Sequence, residues 1–204
     1  MSCRDEKVKK LRENTPTILS PNCWAGITYH HLGLQFRSPL INMWEDHDEY
    51  IRLLSDLKGY MSKDLVFKEM YFDKSLKAPF PVGMLGDVTL YMNHYKDFES
   101  AKEAFDRRKK RINWDYIIVM LYDESPERAR RFLDLPFEHK ICFVPYRSDD
   151  PRVISIPYRE QEKLQRYPFW EIVNNLALGD FELYDDVDLI YGGKYTKIGD
   201  ILRR

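Results

Sequence analysis

The chain lacks the features of an exported, membrane-spanning or metal-binding protein. Its three cysteines, Cys3, Cys23 and Cys142, are odd in number and do not have the spacing of metal ligands. No stretch approaches the roughly 20 apolar residues of a membrane-spanning helix. The first 14 residues are polar and charged, without the apolar run of a signal peptide. We therefore expect reduced thiols in a cytoplasmic protein, with neither a metal nor a cofactor.

The chain also lacks an excess of charge. Lys and Arg number 32 and Asp and Glu 33, a formal net charge of −1, so no general electrostatic attraction to nucleic acid is expected. Hydrophobic residues make up 44% and charged residues 32%, which is typical of a folded protein. We expect one domain over residues 1–204, with residues 1–14 as a polar N-terminal extension. Aromatic residues reach 14%, more than a core usually takes, so some are expected to line a pocket or an interface.

Apolar runs alternate with amphipathic segments along the chain. The unbroken apolar run 116–121 is typical of a strand that is covered on both faces. Ser125 and Pro126 are expected to begin a helix, and Asp46 or Asp48 to cap another. This alternation predicts an α/β fold, a layered α/β/α domain with a mixed, mainly parallel sheet. Strands are predicted at 17–20, 65–67, 71–72, 87–95, 116–121, 141–144, 153–156 and 188–191, helices at 24–34, 48–60, 100–112, 125–133 and 169–178, and a loop at 78–83.

The turn Asn22-Cys23-Trp24-Ala25-Gly26 lies where the first predicted strand becomes the first helix. Open α/β sheets place their sites at such turns. Free backbone N–H groups and the helix dipole would lower the pKa of a cysteine there and favour a nucleophilic thiolate. In that interpretation Cys23 is the nucleophile, Trp24 a pocket wall and Asn22 a polar donor. In the alternative, Asn22 caps the helix and Cys23 is a small buried residue.

His94 ends a predicted strand and is followed by Tyr95. If the strands are parallel, this histidine faces the same crevice as the Cys23 turn. A cysteine followed later in the chain by a histidine is the order of papain-like enzymes. A third group would have to orient the imidazole, and Asn113 and Asp115 are the nearest later candidates.

The run Arg107-Arg108-Lys109-Lys110-Arg111 lies on a predicted helix. A helix spreads these side chains around its circumference, but Arg108 and Arg111 share a face and are able to clamp a phosphate or a carboxylate. The alternative is a solvated face paired with neighbouring acidic residues. A dense basic run is also able to touch anionic lipid head groups, as in peripheral membrane association.

Weaker signals come from isolated histidines and aspartates. His30-His31 together with Asp46-His47-Asp48 suggest a metal site, but adjacent histidines on a helix face different ways, which disfavours it. Asp87 and Asp123 flank predicted strands, where carboxylates serve either substrates or turns.

Several of these motifs together resemble one bacterial family, the domain of unknown function numbered 1919. The similarity covers roughly residues 15 to 123, weakens toward the end of the chain, and is specific as a set. Ala25 stands where the family usually has a second glycine. The matching stretches are 17–26 (Thr-Ile-Leu-Ser-Pro-Asn-Cys-Trp-Ala-Gly), 34–40 (Leu-Gln-Phe-Arg-Ser-Pro-Leu), 80–83, 87–95 and 101–113.

This resemblance implies an α/β fold and a role in exopolysaccharide or capsule synthesis, but no mechanism. The substrate would be a sugar or glycan, expected to be anionic in view of the basic helix, and the protein a transferase. A fainter likeness to a family of papain-like cysteine peptidases implies instead a hydrolase or acyltransferase that uses Cys23 and His94. A non-catalytic module that binds a glycan or regulates synthesis is a third hypothesis. The predicted catalytic residues are Cys23, His94 and Asn113, and the predicted substrate-binding residues are Asn22, Trp24, Gly26, Ser38, Asp87, Tyr95, Arg108, Arg111 and Asp123.

Overall fold

The strands of the computed structural model divide into two sheets. The structure describes residues 3–74, 76–162, 164–178 and 190. The strands are β1 (Thr17–Leu19), β2 (Leu65–Asp73), β3 (Ala78–Leu85), β4 (Val88–Tyr91), β5 (Ile117–Tyr122), β6 (His139–Val144) and β7 (Ile154–Ser155). The first sheet is parallel in the order β1-β5-β6-β7, and the second is antiparallel in the order β2-β3-β4.

Helices cover both faces of the parallel sheet. The helices are α1 (Cys3–Glu13), α2 (Trp24–His31), α3 (His47–Ser55), α4 (Leu57–Ser62), α5 (Phe98–Lys109), α6 (Pro126–Leu133) and α7 (Phe169–Leu178), with a short 3-10 helix at Tyr158–Glu160. The α/β fold class predicted from the sequence is confirmed. The parallel and antiparallel parts are separate sheets, however, rather than one mixed sheet.

The parallel sheet is buried on both sides because alternate residues of its strands point to opposite faces. Ile118 and Met120 of β5 pack in a cluster with α1, α2 and α7. Val119 and Leu121 pack in a second cluster with α3 to α6 and the antiparallel sheet. The unbroken apolar run predicted this two-sided burial.

The polar segment at the N-terminus contributes to the fold. Val8 and Leu11 of α1 are buried in the first cluster, and the Arg12 guanidinium donates hydrogen bonds to the carbonyl of Leu32. At the other end of the chain, the predicted strand at 188–191 lies outside the described residues except for Ile190, which is buried.

The segment 78–83 is a strand, although its prolines predicted a loop. Pro81 pairs with β2 on one side, while its carbonyl accepts a hydrogen bond from Met92 on the other. The N–H that proline lacks would therefore point away from β2, and pairing with β4 begins only at Val82. The ladder with β2 therefore loses no hydrogen bond at these prolines, which is why the strand tolerates them.

Helix boundaries follow from capping side chains. Asp46 accepts hydrogen bonds from the N–H groups of Asp48 and Glu49 at the start of α3, one of the two predicted caps. The single helix predicted over 48–60 is divided, because Asp56 leaves the helical conformation and caps α4 through the Gly59 N–H. Ser125 caps α6, with Pro126 in its first turn, as predicted.

In the part of the chain that the structure describes, no helix is both long enough and apolar enough to cross a bilayer.

Candidate functional site

The turn after β1 is held by its own side chains. The Ser20 hydroxyl donates to the Asn22 carbonyl and accepts from the Ala25 N–H, at 2.8 and 3.0 Å. The Asn22 side chain accepts from the Trp24 N–H at 3.1 Å and donates to Asn174 of α7 at 2.9 Å. Cys23 is half-buried between these buried neighbours, at the carboxyl edge of the parallel sheet.

His94 reaches this turn from the antiparallel sheet. Trp44 exchanges two backbone hydrogen bonds with Tyr91 at the end of β4, and its ring stacks on that of Tyr91 with centroids 3.8 Å apart. The next residue, Glu45, donates its N–H to the carbonyl of Pro21, just before Cys23. Residues 44 and 45, which we call the 44–45 link, thus join the end of β4 to the end of β1 and bring His94 beside Cys23.

Cys23 and His94 form a side-chain pair. The Cys23 Sγ lies 3.3 Å from the His94 Nε2, within the reach that a nucleophile and its base require. A protonated thiol donates to an unprotonated Nε2 in this arrangement. Among the described residues no hydrogen bond to His94 Nδ1 is present, so none of them serves as the third group that would fix the imidazole.

The Cys23 thiol is not predisposed to ionise. Burial raises its pKa above the ordinary value, and the carboxyl of Glu45 adds to the shift. The sequence predicted the opposite, from the start of α2. The reason for the difference is that the N–H groups of Trp24 and Ala25 already bond to Asn22 and Ser20. The resting group is therefore a thiol, and His94 has to take its proton during an attack.

A cavity of about 430 Å³ opens beside the pair. It is of the size that small-molecule sites commonly have. Its wall combines the apolar side chains of Ile27, Phe36 and Ile41 with several polar ones. The lining residues are Cys23, Gly26, Ile27, His30, Phe36, Ile41, Asn42, His94 and Arg108.

Arg108 is the cation of this cavity. Its Nη1 donates to the Tyr95 hydroxyl at 2.7 Å and to the Ile41 carbonyl at 3.2 Å, and its guanidinium lies over the Phe36 ring. The Tyr95 hydroxyl in turn donates to the Ile41 carbonyl. No carboxylate of the described residues forms an ion pair with Arg108, although the group is buried. A buried cation without a counter-ion favours an anionic group in the cavity.

Glu45 is a buried carboxyl next to the pair. It is 3% exposed, and neither carboxyl oxygen has a hydrogen-bond partner within the described part of the chain. Burial raises its pKa well above the ordinary value, and Glu49 adds to the shift. Glu45 is therefore held in its neutral form, in which it is able to donate a proton.

The sequence of this chain also matches a known protein family. The sequence model of the family described as Domain of unknown function (DUF1919) matches residues 2–191. The chain belongs to the DUF1919 family. A Haemophilus influenzae protein described as uncharacterized is 29% identical over 139 residues, which are 67% of this chain. The match covers 65% of that relative's length, so the relative is longer than the part that the chain matches.

The predicted site residues of this DUF1919 protein fall into separate groups. The cavity beside the Cys23–His94 pair is lined by four of them: Cys23, Gly26, His94 and Arg108. A fifth, Tyr95, holds Arg108 there. The other predicted residues lie elsewhere.

Three of the predicted binding residues serve the fold instead of lining a cavity. Trp24 is fully buried and packs edge-on against Phe143, so it belongs to the core and not to a pocket wall. Asn22 caps the turn. The Ser38 hydroxyl is buried and accepts the Leu40 N–H.

Three more of the predicted site residues lie away from the Cys23–His94 pair. Asn113 is at the amino end of the parallel sheet, where it bonds to Asn14, and is not brought to His94. Asp87 is exposed between β3 and β4, where it accepts from the Tyr60 hydroxyl and Arg52. Arg111 does not line the cavity with Arg108.

Asp123, at the end of β5, lies at a second cavity together with His47 and Arg128. No sequence motif points to Glu45 or Arg128, and His47 belongs only to a weak metal pattern. Because these residues become significant only through burial and through partners distant in sequence, no local pattern identifies them. Within the described residues, no group of three or more His, Cys, Asp or Glu side chains is placed to hold a metal ion.

Proposed function

We propose that this DUF1919 protein is a cysteine-dependent hydrolase or acyltransferase, with Cys23 as nucleophile and His94 as its base. The observation that carries the proposal is the 3.3 Å separation of Sγ and Nε2 at the wall of a cavity of about 430 Å³. A nucleophile and a base within hydrogen-bond reach, next to space for a substrate, are the minimum that covalent acyl transfer requires.

The chemistry proceeds in two halves. As Sγ bonds to the acyl carbon, the S–H proton passes to His94 Nε2, and the bond from that carbon to the leaving group breaks. The imidazolium then protonates the leaving group. In the second half, His94 takes a proton from water or from an acceptor hydroxyl, whose oxygen attacks the thioester. The same proton then returns to the departing sulfur.

The raised pKa of Cys23 supports one of two versions of this mechanism. A preformed thiolate–imidazolium pair requires a lowered thiol pKa, as in papain-like sites. Burial raises the pKa here, which favours a neutral thiol that His94 deprotonates as attack proceeds.

Arg108 supports an anionic substrate. Its guanidinium lines the same cavity as the pair and has no ion-pair partner in the described ranges. A carboxylate or phosphate on the acyl group or leaving group would supply the missing charge. The role in surface-polysaccharide synthesis rests on the family resemblance alone. It fits this chemistry if the substrate is an acyl-decorated sugar.

The test uses p-nitrophenyl acetate as the acyl donor and peptide mass spectrometry to locate the acetyl group. We expect acetyl-Cys23 in the native protein, none at that position in Cys23→Ala, and acylation slowed about 100-fold in His94→Gln. Cys142→Ala is the matched control, because Cys142 is fully buried in β6, and should leave the rate unchanged. Acetylation that is absent, or that proceeds equally in Cys23→Ala, would refute the proposal and leave a binding module.

A further inference from the structure

A second cavity, of about 350 Å³, lies at the carboxyl end of β5. Four aromatic side chains line it: Tyr122, Tyr158, Phe169 and Trp170. Phe169 stacks on Tyr158 with centroids 5.6 Å apart and meets Tyr122 edge-on. Trp170 is 49% exposed, an unusual position for so large an apolar ring. The cavity thus offers aromatic faces to a ring-shaped ligand.

Asp123 organises the polar side of this cavity. Its side chain is fully buried and accepts from His47 Nδ1 at 2.8 Å, from Arg128 Nε and Nη2 at 2.7 and 3.1 Å, and from the Ser125 N–H at 2.6 Å. Burial would raise the pKa of this carboxyl, but these hydrogen bonds outweigh burial and hold the pKa below its ordinary value. The carboxylate has no capacity left for a ligand, so its role is to orient its neighbours.

His47 is the polar group of this cavity that remains available to a ligand. With Nδ1 donating to the carboxylate, the neutral imidazole carries its proton on Nδ1 and presents Nε2 as an acceptor. The ring is further fixed edge-on against Tyr122, with centroids 4.6 Å apart. His47 lines the cavity, so a ligand hydroxyl has an oriented acceptor.

The charges around this cavity are balanced. Arg128 is paired with Asp123 and lies 3.7 Å from Asp48, and Arg159 lies 3.8 Å from Glu124. The cavity beside Cys23 differs in this respect, since Arg108 there has no such partner among the described residues. A ligand at the second cavity is therefore not selected by charge.

We infer that the second cavity binds an uncharged, hydroxylated ring, the pyranose of a sugar, with its C–H face against Trp170 and a hydroxyl donated to His47 Nε2. Aromatic faces suit the apolar face of such a ring, and an oriented acceptor suits its hydroxyls. Apolar rings without a hydroxyl offer no donor to His47 Nε2, and a phenol offers one hydroxyl where a pyranose offers several. Sugar phosphates carry a charge that no unpaired cation among the described residues of this cavity would meet. This site is separate from the proposed function and does not require Cys23 to react.

The test titrates methyl β-D-glucopyranoside, methyl β-D-galactopyranoside and the methyl glycoside of N-acetylglucosamine into the full chain, with binding followed by NMR. At least one glycoside should bind, and Trp170→Ala and His47→Gln should each weaken it about tenfold, equivalent to ~1.4 kcal/mol. Trp114→Ala, which removes another exposed indole, and His94→Gln, at the other cavity, are controls that should keep native affinity.

Three results would overturn the inference. One is that no glycoside binds, and another is that the glycosides bind Trp170→Ala as tightly as the native chain. The third is that p-cresol or glucose 1-phosphate binds this cavity more tightly than every methyl glycoside. If the native chain binds a glycoside but is not acylated at Cys23, only the proposed function is contradicted.

The role of Asp123 has a separate readout. Nitrogen-15 spectra of the His47 imidazole should show the proton on Nδ1 in the native chain. Asp123→Asn should shift it toward Nε2 while the circular dichroism of the fold is kept, and glycoside affinity should fall with it. An unchanged tautomer in Asp123→Asn would show that the carboxylate does not orient His47.

Discussion

At the scale of single residues, Glu45 places an acidic side chain where solvent does not reach it. Both of its oxygens lack hydrogen-bond partners among the described residues, and its backbone lies between the two strand ends that carry Cys23 and His94. An unsatisfied buried carboxyl costs stability, and it costs more when it ionises. The position of this carboxyl next to Cys23 favours a role in the chemistry of the site over a role in stability.

The Glu45 carboxyl makes stability depend on pH. Its folded-state pKa lies well above the ordinary value of 4.5, so between the two the unfolded chain binds fewer protons and stability falls as pH rises. Glu45→Gln removes this titration. We expect the variant to gain stability relative to the native chain between about pH 5 and about pH 7, by up to ~1.4 kcal/mol per pH unit.

Urea unfolding at several pH values measures this difference. The exposed Glu103→Gln is the control and should give a difference that does not change over the same range. A constant difference for Glu45→Gln as well would mean that Glu45 is not held neutral.

Arg108 is the residue expected to select the acyl donor. Replacing it with Met removes the charge and keeps most of the length. We expect Arg108→Met to slow acylation of Cys23 by p-nitrophenyl succinate about tenfold more than acylation by p-nitrophenyl acetate, because only the succinyl group carries a carboxylate.

The ratio of the two rates within each variant cancels any partial loss of folded protein. Arg107→Met is the matched control, since Arg107 is exposed and pairs with Glu103 on the other side of α5. Equal slowing with both esters would contradict a substrate-binding role for Arg108.

At the scale of structural elements, the 44–45 link holds the two sheets in register at the site. Trp44 stacks on Tyr91 with the ring planes 5° apart and also bonds to it through the backbone. Trp44→Ala should lower the free energy of unfolding by about 2 kcal/mol through lost packing and stacking. It should also slow Cys23 acylation, because His94 follows the strand that Trp44 anchors.

Trp114→Ala is the control for this prediction. Trp114 is 41% exposed, and its loss should change stability by no more than about 0.5 kcal/mol. Similar effects of the two variants on stability and acylation would show that the link does not position His94.

The sequence predicted the strand ends but not how they meet. The apolar run of β5 and the Ser125-Pro126 helix start are local signals, and both were confirmed. The sequence predicted His94 near Cys23 only on the condition that the strands before them are parallel. The structure brings it there through an antiparallel sheet and Trp44, a contact with no local pattern.

At the scale of the whole molecule, both cavities lie at the carboxyl edge of the parallel sheet. Cys23 follows β1, and Asp123 follows the neighbouring β5. Burial raises the pKa of Tyr122, whose ring lines the second cavity, and the neighbouring Asp123 carboxylate raises it further. Helices on both faces keep the sheet rigid and leave this edge for ligands.

One face of the antiparallel sheet packs on the core through Leu65, Leu85 and Leu90, whereas most of its outer strand β2 faces solvent. Val66 and Phe72 of its outer strand β2 are 58% and 59% exposed. The sheet is joined to the rest of the fold near its other edge, where β4 meets Trp44. The position of His94 therefore depends on how the whole antiparallel sheet packs, which a sequence pattern does not specify.

The reactivity of Cys23 toward iodoacetamide, measured site by site by peptide mass spectrometry, tests whether His94 serves as its base. Because burial raises the thiol pKa, the native chain should react near pH 7 only with help from His94. His94→Gln, which keeps a polar side chain but is no base, should lower the rate at Cys23 at least about tenfold. Equal rates in the two proteins would contradict the pairing of Cys23 with His94.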